Sequence, residues 1–125
     1  MDLVILPQGQ PVSYFHNQTE GGRSLTLRLE GTISNRDAVG ARVVVESGRR
    51  RRFAWRMGGG SYQSASDPRL HIGLGMADTI DSVEVTWPSG RVDRYRGLEP
   101  GGGYRLREAD PSPEALPGFR RHQRP

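Results

Sequence analysis

The sequence contains no cysteine and no lysine. Without cysteine, a disulfide framework and a thiolate metal site are both excluded. All 18 basic residues are arginines, a one-sidedness we attribute to GC-rich coding rather than to a selected role. No apolar run approaches the ~20 residues of a membrane span, and the first residues lack the apolar core of a signal peptide, so the expectation is a soluble chain. Aromatic residues are few, with two Trp, four Tyr and three Phe. No stretch repeats its apolar residues at helical spacing, and the best prospect, Pro113 to Leu116, is one turn at most.

What the chain does have is alternation. Leu25, Leu27 and Leu29 share one face of an extended segment, as do Phe53, Trp55 and Met57. Leu70, Ile72 and Leu74 alternate, and so do Val83, Val85 and Trp87, then Tyr104 and Leu106. Period two marks half-buried strands with one wet face. The unbroken run Ala41 to Glu46 reads as a strand in the middle of a sheet. The 17 glycines and 9 prolines supply turns between these runs. Short strands with frequent turns predict an all-β fold, an antiparallel β-sandwich of about seven strands. The expected core is Leu27, Val43, Val45, Phe53, Trp55, Ile72, Leu74, Val83, Val85 and Trp87.

Three parts follow. Residues 24–109 form the β domain. From Asp110 the composition turns to Pro, Arg and polar residues, so residues 110–125 read as a disordered tail. Residues 1–23 carry two short strands, Leu3 to Leu6 and Val12 to His16, and a lone hairpin is not stable in water. It either joins the sandwich or belongs to another folded unit.

The chemistry concentrates in Ser61 to Gly75. Ser61, Ser64 or Ser66 could attack a substrate, with His71 as base and Asp67 orienting it. Against this, no G-x-S-x-G elbow is present. The alternative is a turn, with Asp67-Pro68 as initiator and Tyr62, Arg69 and the glycines fixing a corner. A ligand-binding loop is a third reading, because all-β modules carry function on such turns. It would draw on Asn35, Asp37, Tyr62, Ser64, Asp67, Arg69 and His71.

His16, His71 and His122 have no metal-ligand spacing, and no calcium-loop pattern appears, so no metal is assigned. Asn35, Asp37 and Asp67 would make an oxygen site only if their loops met. From Arg42 to Arg56 there are six arginines against Glu46 alone. Arg49, Arg50, Arg51 and Arg52 are candidate polyanion contacts, with a solvated hairpin edge as the alternative. No nucleic-acid motif accompanies them, and specific nucleic-acid binding is not expected.

Three ordered stretches are familiar: Ser34-Asn-Arg-Asp-Ala-Val-Gly-Ala-Arg-Val43; Gly60-Ser-Tyr-Gln-Ser64 with Asp67-Pro-Arg-Leu-His-Ile-Gly-Leu-Gly75; and Val83-Glu-Val-Thr-Trp-Pro-Ser-Gly90. Together, over roughly residues 25–108, they resemble the ASPIC/UnbV domain. The family includes a secreted cartilage acidic protein and proteins associated with bacterial enediyne gene clusters. The resemblance implies a domain placed after an FG-GAP β-propeller, with residues 1–23 as the end of its last repeat. Calcium would belong to that propeller, and no cofactor is expected in this chain. It implies no catalytic residues. The function so implied is a non-catalytic interaction module of an exported protein, binding a protein, a glycan or its own propeller. An accessory role in small-molecule biosynthesis is the alternative. The run Arg49 to Arg52 is more basic than the family leads one to expect.

Overall fold

The computed structural model describes residues 2–18 and 21–119. Among them the fold is all-β, with ten strands and no helix. A hairpin, β1 (Leu3–Ile5) and β2 (Ser13–Phe15), precedes two four-stranded sheets. One sheet has the order β5-β4-β7-β8, formed by Arg50–Trp55, Arg42–Ser47, Ser82–Thr86 and Val92–Tyr95. The other has the order β10-β9-β3-β6, formed by Glu114–Ala115, Gly103–Arg107, Arg23–Glu30 and Leu70–Gly75.

The inward faces pack as the alternation requires. Leu25, Leu27, Leu29, Ile72, Leu74 and Leu106 from one sheet meet Val43, Val45, Val83, Val85 and Tyr95 from the other. Strand β4 lies between β5 and β7, which explains its unbroken apolar run: Val44 is also buried, on the opposite face. Trp87 closes one end of the core, and its indole N–H donates to Asp93 Oδ2 at 2.8 Å. Tyr95 is buried with its hydroxyl donating to the Arg107 carbonyl at 2.7 Å, and burial pushes its phenol well above the usual range.

The expected all-β sandwich is the fold observed, and two of its details are corrected at the level of strands. One pair is parallel rather than antiparallel: β3 lies beside β9, Leu27 opposite Tyr104 and Leu29 opposite Leu106. A parallel neighbour needs a crossover, and here the entire other sheet intervenes in sequence. The chain also keeps its order past Asp110. β10 pairs with β9, and Leu116 N donates to the Gly103 carbonyl at 2.8 Å. The expected tail beyond residue 119 lies outside the described residues.

The third correction concerns the core. Phe53 and Trp55 are 55% and 56% exposed, not buried. The cause is the β4–β5 turn. Ser47 pairs with Arg50 across the two residues Gly48 and Arg49, and Gly48 has φ +58°, the left-handed value a tight hairpin needs at that position. This register places Arg52 opposite Val45 and Ala54 opposite Val43, so those two share the core-facing side. Phe53, opposite Val44, and Trp55, opposite Arg42, are turned outward. A shift of one residue would have reversed every side chain on the strand.

The N-terminal hairpin packs on neither sheet. β1 pairs only with β2, Leu3 opposite Phe15 and Val4 opposite Tyr14. Its apolar side chains on both faces are open to solvent, from 45% at Ile5 to 75% at Leu6.

Candidate functional site

The stretch leading into β6 folds as a corner. Ser61 and Ser64 form an isolated bridge around Tyr62 and Gln63, whose φ is +51°. Tyr62 is 88% exposed. Pro68 follows Asp67, and Asp67 Oδ1 accepts the Arg69 backbone N–H at 2.9 Å, the hydrogen bond that makes Asp a turn former. The Arg69 side chain then returns: its Nε lies 2.9 Å from both Asp67 oxygens and its Nη2 also donates to Oδ2. The Arg69 side chain and N–H hold the Asp67 carboxyl far below the usual carboxylate range. Both partners are partly exposed, so the pair fixes geometry more than it adds stability.

From Arg69 the chain enters β6, with Leu70, Ile72 and Leu74 facing the core and His71 facing out. His71 stands opposite Thr26 on β3, and its Nδ1 lies 3.1 Å from Thr26 Oγ1. Thr26 is buried, so this hydroxyl has no route to a substrate. The imidazole is thus engaged across the strand pair rather than by a serine, and the hydrogen bonding gives the Ser–His–Asp reading, disfavoured on sequence, no support.

The corner acquires a second wall that the sequence did not suggest. The segment after β10 runs back over the sheet and lays Phe119 over Gly103, where a Cβ would collide with the ring. The Arg69 guanidinium sits 5.7 Å from the centre of the Phe119 ring. Asp67, Pro68 and Arg69 from the corner and Leu116, Pro117 and Phe119 from the later segment, together with Arg28, line an open groove of about 340 Å³. Three of its seven lining residues, Leu116, Pro117 and Phe119, come from the segment expected to be disordered.

Asn35 and Asp37 are not part of it. The Asn35 side chain laces its own loop, donating to the Val39 carbonyl at 2.9 Å and accepting the Val39 N–H at 2.8 Å. Asp37 is exposed on that loop. Among the described residues no group of three or more His, Cys, Asp and Glu side chains is placed to hold a metal ion.

That loop is held by a residue the sequence reading passed over. Glu108 is 1% exposed. Its Oε2 accepts the backbone N–H groups of Thr32, Ile33 and Ser34 at 2.9, 2.8 and 2.7 Å. Its Oε1 accepts the hydroxyls of Ser34 at 3.0 Å and Ser89 at 2.5 Å. Burial alone would push this carboxyl up, but the Ser89 hydroxyl and the N–H groups of Ser34, Thr32 and Ile33 outweigh it and hold it near 2. A signal was available: Tyr104, Leu106 and Glu108 alternate, which places the carboxylate in phase with the core.

The arginine run does not form one patch either. Arg49 and Arg50 are exposed at the hairpin. Arg51 faces outward, 3.3 Å from Glu46 and 5.9 Å from the centre of the Phe53 ring. Arg52 faces the other way and donates through Nη2 to the Leu74 carbonyl at 3.0 Å, tying β5 to β6 at the open side of the sandwich.

No curated protein and no solved structure matches the chain. The sequence pattern that defines the family described as ASPIC and UnbV matches residues 31–113, from the loop that Glu108 pins to the segment ahead of β10. That span covers most of the sandwich and all three stretches that carry the resemblance, and the chain belongs to the ASPIC and UnbV family.

Proposed function

We propose that this domain is a non-catalytic interaction module of an exported protein, working beside an FG-GAP β-propeller. The observation that carries the reading is the β1–β2 hairpin, which is apolar on both faces and packs on neither sheet. A two-stranded ribbon of this kind is marginal in water and gains stability when a further sheet covers or extends it. The family resemblance supplies a propeller blade as that sheet. The corner adds weight: Asp67 is paired with Arg69 and His71 with Thr26, so the carboxylate and the imidazole that would do chemistry already have partners.

Hydrogen exchange tests the reading. In the chain alone, the backbone amides of residues 3–5 and 13–15 should exchange at nearly unprotected rates. With a separately produced FG-GAP propeller added, they should slow by about tenfold or more, the change expected for burial against a partner sheet. Strong protection in the chain alone, or none with the propeller, would count against it.

A further inference from the structure

We infer that the outer face of the β5-β4-β7-β8 sheet, at its β5 edge, docks an acidic segment of a partner protein that also carries apolar side chains. The inference rests on the module reading and names the chemistry of the partner. The register sets Trp55 beside Arg42, Phe53 beside Val44 and Arg51 beside Glu46 on this face. Phe53, Trp55 and the following Met57 are all more than half exposed. Meanwhile Arg52 and Ala54 occupy the core-facing positions of the same strand. Folding stability alone favours the opposite assignment, with aromatics inside and arginines outside. Large exposed apolar groups gathered on one face, with polar groups at the rim, mark an interaction surface.

Charge decides what kind of partner fits. The carboxylates of this face are already engaged, Glu46 with Arg51 at 3.3 Å and Glu84 with Arg94 at 2.7 Å. Among the described residues no carboxylate lies within ion-pair distance of Arg42 on this face or of Arg49 at the adjoining turn. The surface therefore offers guanidinium groups around a hydrocarbon centre, and its complement is carboxylate around aliphatic or aromatic side chains. A polyanion without apolar groups would leave the exposed Phe53, Trp55 and Met57 without an apolar partner. Arginine and tryptophan are also the side chains that most often dominate binding at protein interfaces.

The probe is a fluorescein-labelled peptide of Glu-Leu-Leu-Glu repeats, titrated by anisotropy with the full chain. Its comparators are an equally charged peptide of Glu-Ser-Ser-Glu repeats and a sulfated dextran oligosaccharide. The leucine-bearing peptide should bind at least ~10-fold more tightly than the serine-bearing one. Trp55→Ala should weaken it by ~10-fold and Arg42→Ala by a few-fold, while the salt dependence falls only in the arginine variant. Both residues lie on the solvent-facing side of the sheet, and unchanged thermal midpoints would verify that the variants fold. No binding of the leucine-bearing peptide overturns the inference, as does equal binding of both peptides. Trp55-dependent binding of the sulfated dextran alone overturns it in favour of a glycan surface. None of these outcomes bears on the hairpin, whose exchange rates test the module reading separately.

Discussion

At Glu108 a single carboxylate collects three backbone N–H groups and two hydroxyls from two different loops. The loop it holds includes Ala38, buried with φ +51°, a conformation that L residues adopt only when their surroundings impose it. Removing the charge in Glu108→Gln keeps the volume but points an amide N–H₂ at groups that donate. The expected loss is ~3 kcal/mol, with a drop in melting temperature of about 10 °C. The pH dependence has a definite sign. The folded-state carboxyl titrates near 2 against an ordinary 4.5, so the unfolded chain binds the proton first. The stabilisation is complete above 4.5 and is lost as pH falls through 4.5 toward 2. Melting curves of the two proteins should therefore converge progressively as pH is lowered from 4.5 toward about 2. A gap independent of pH would mean that shape, not charge, holds the loop.

At the scale of elements, Gly103 and Phe119 decide whether the chain after Asp110 stays on the sheet. Gly103→Val would push the Phe119 ring away and cost Arg69 its aromatic contact. Chymotrypsin should then cut after Phe119 several-fold faster, while the melting temperature falls by only a few degrees, the order of ~1 kcal/mol. Unchanged cleavage would show that the ring is not what anchors the segment. This element was hidden in the sequence because Pro111, Ser112 and Pro113 read as breakers, and β10 is only two residues long. Its order comes from the β9 edge and from a glycine, neither of which local pattern reveals. The strands themselves were legible, since Leu25 to Leu29, Leu70 to Leu74 and Val83 to Trp87 alternate in phase with the core. β5 alternates just as cleanly, but period two gives the spacing of a face and not its direction. The direction was set by the Gly48 turn and by the buried partners Val43 and Val45. At the corner, the Asp67 turn was legible and its Phe119 wall was not.

Taken as a whole, the molecule is a sandwich with its own core and a hairpin that shares none of it. No residue of β1 or β2 belongs to the buried cluster. The hairpin's own ties are local: Tyr14 donates to Asp2 Oδ2 at 2.7 Å, and Asn17 N donates to Asp2 Oδ1 at 2.9 Å. Deleting residues 1–22 would therefore remove exposed apolar surface and leave every sheet partner of β3 in place, since β3 pairs with β6 and β9. The melting temperature should move by a few degrees at most, corresponding to ~1 kcal/mol. Solubility should rise, because the exposed side chains of Leu3, Val4, Ile5, Leu6, Val12, Tyr14 and Phe15 go with the hairpin. Limited trypsin digestion gives the same information without a truncated protein. Arg23 opens β3 and is exposed, with Gly21 and Gly22 before it. Early cleavage there, releasing the hairpin and leaving a folded remainder, is the expected result. An unfolded or insoluble truncation would instead mean that the hairpin lends the sandwich stability that its contacts do not display.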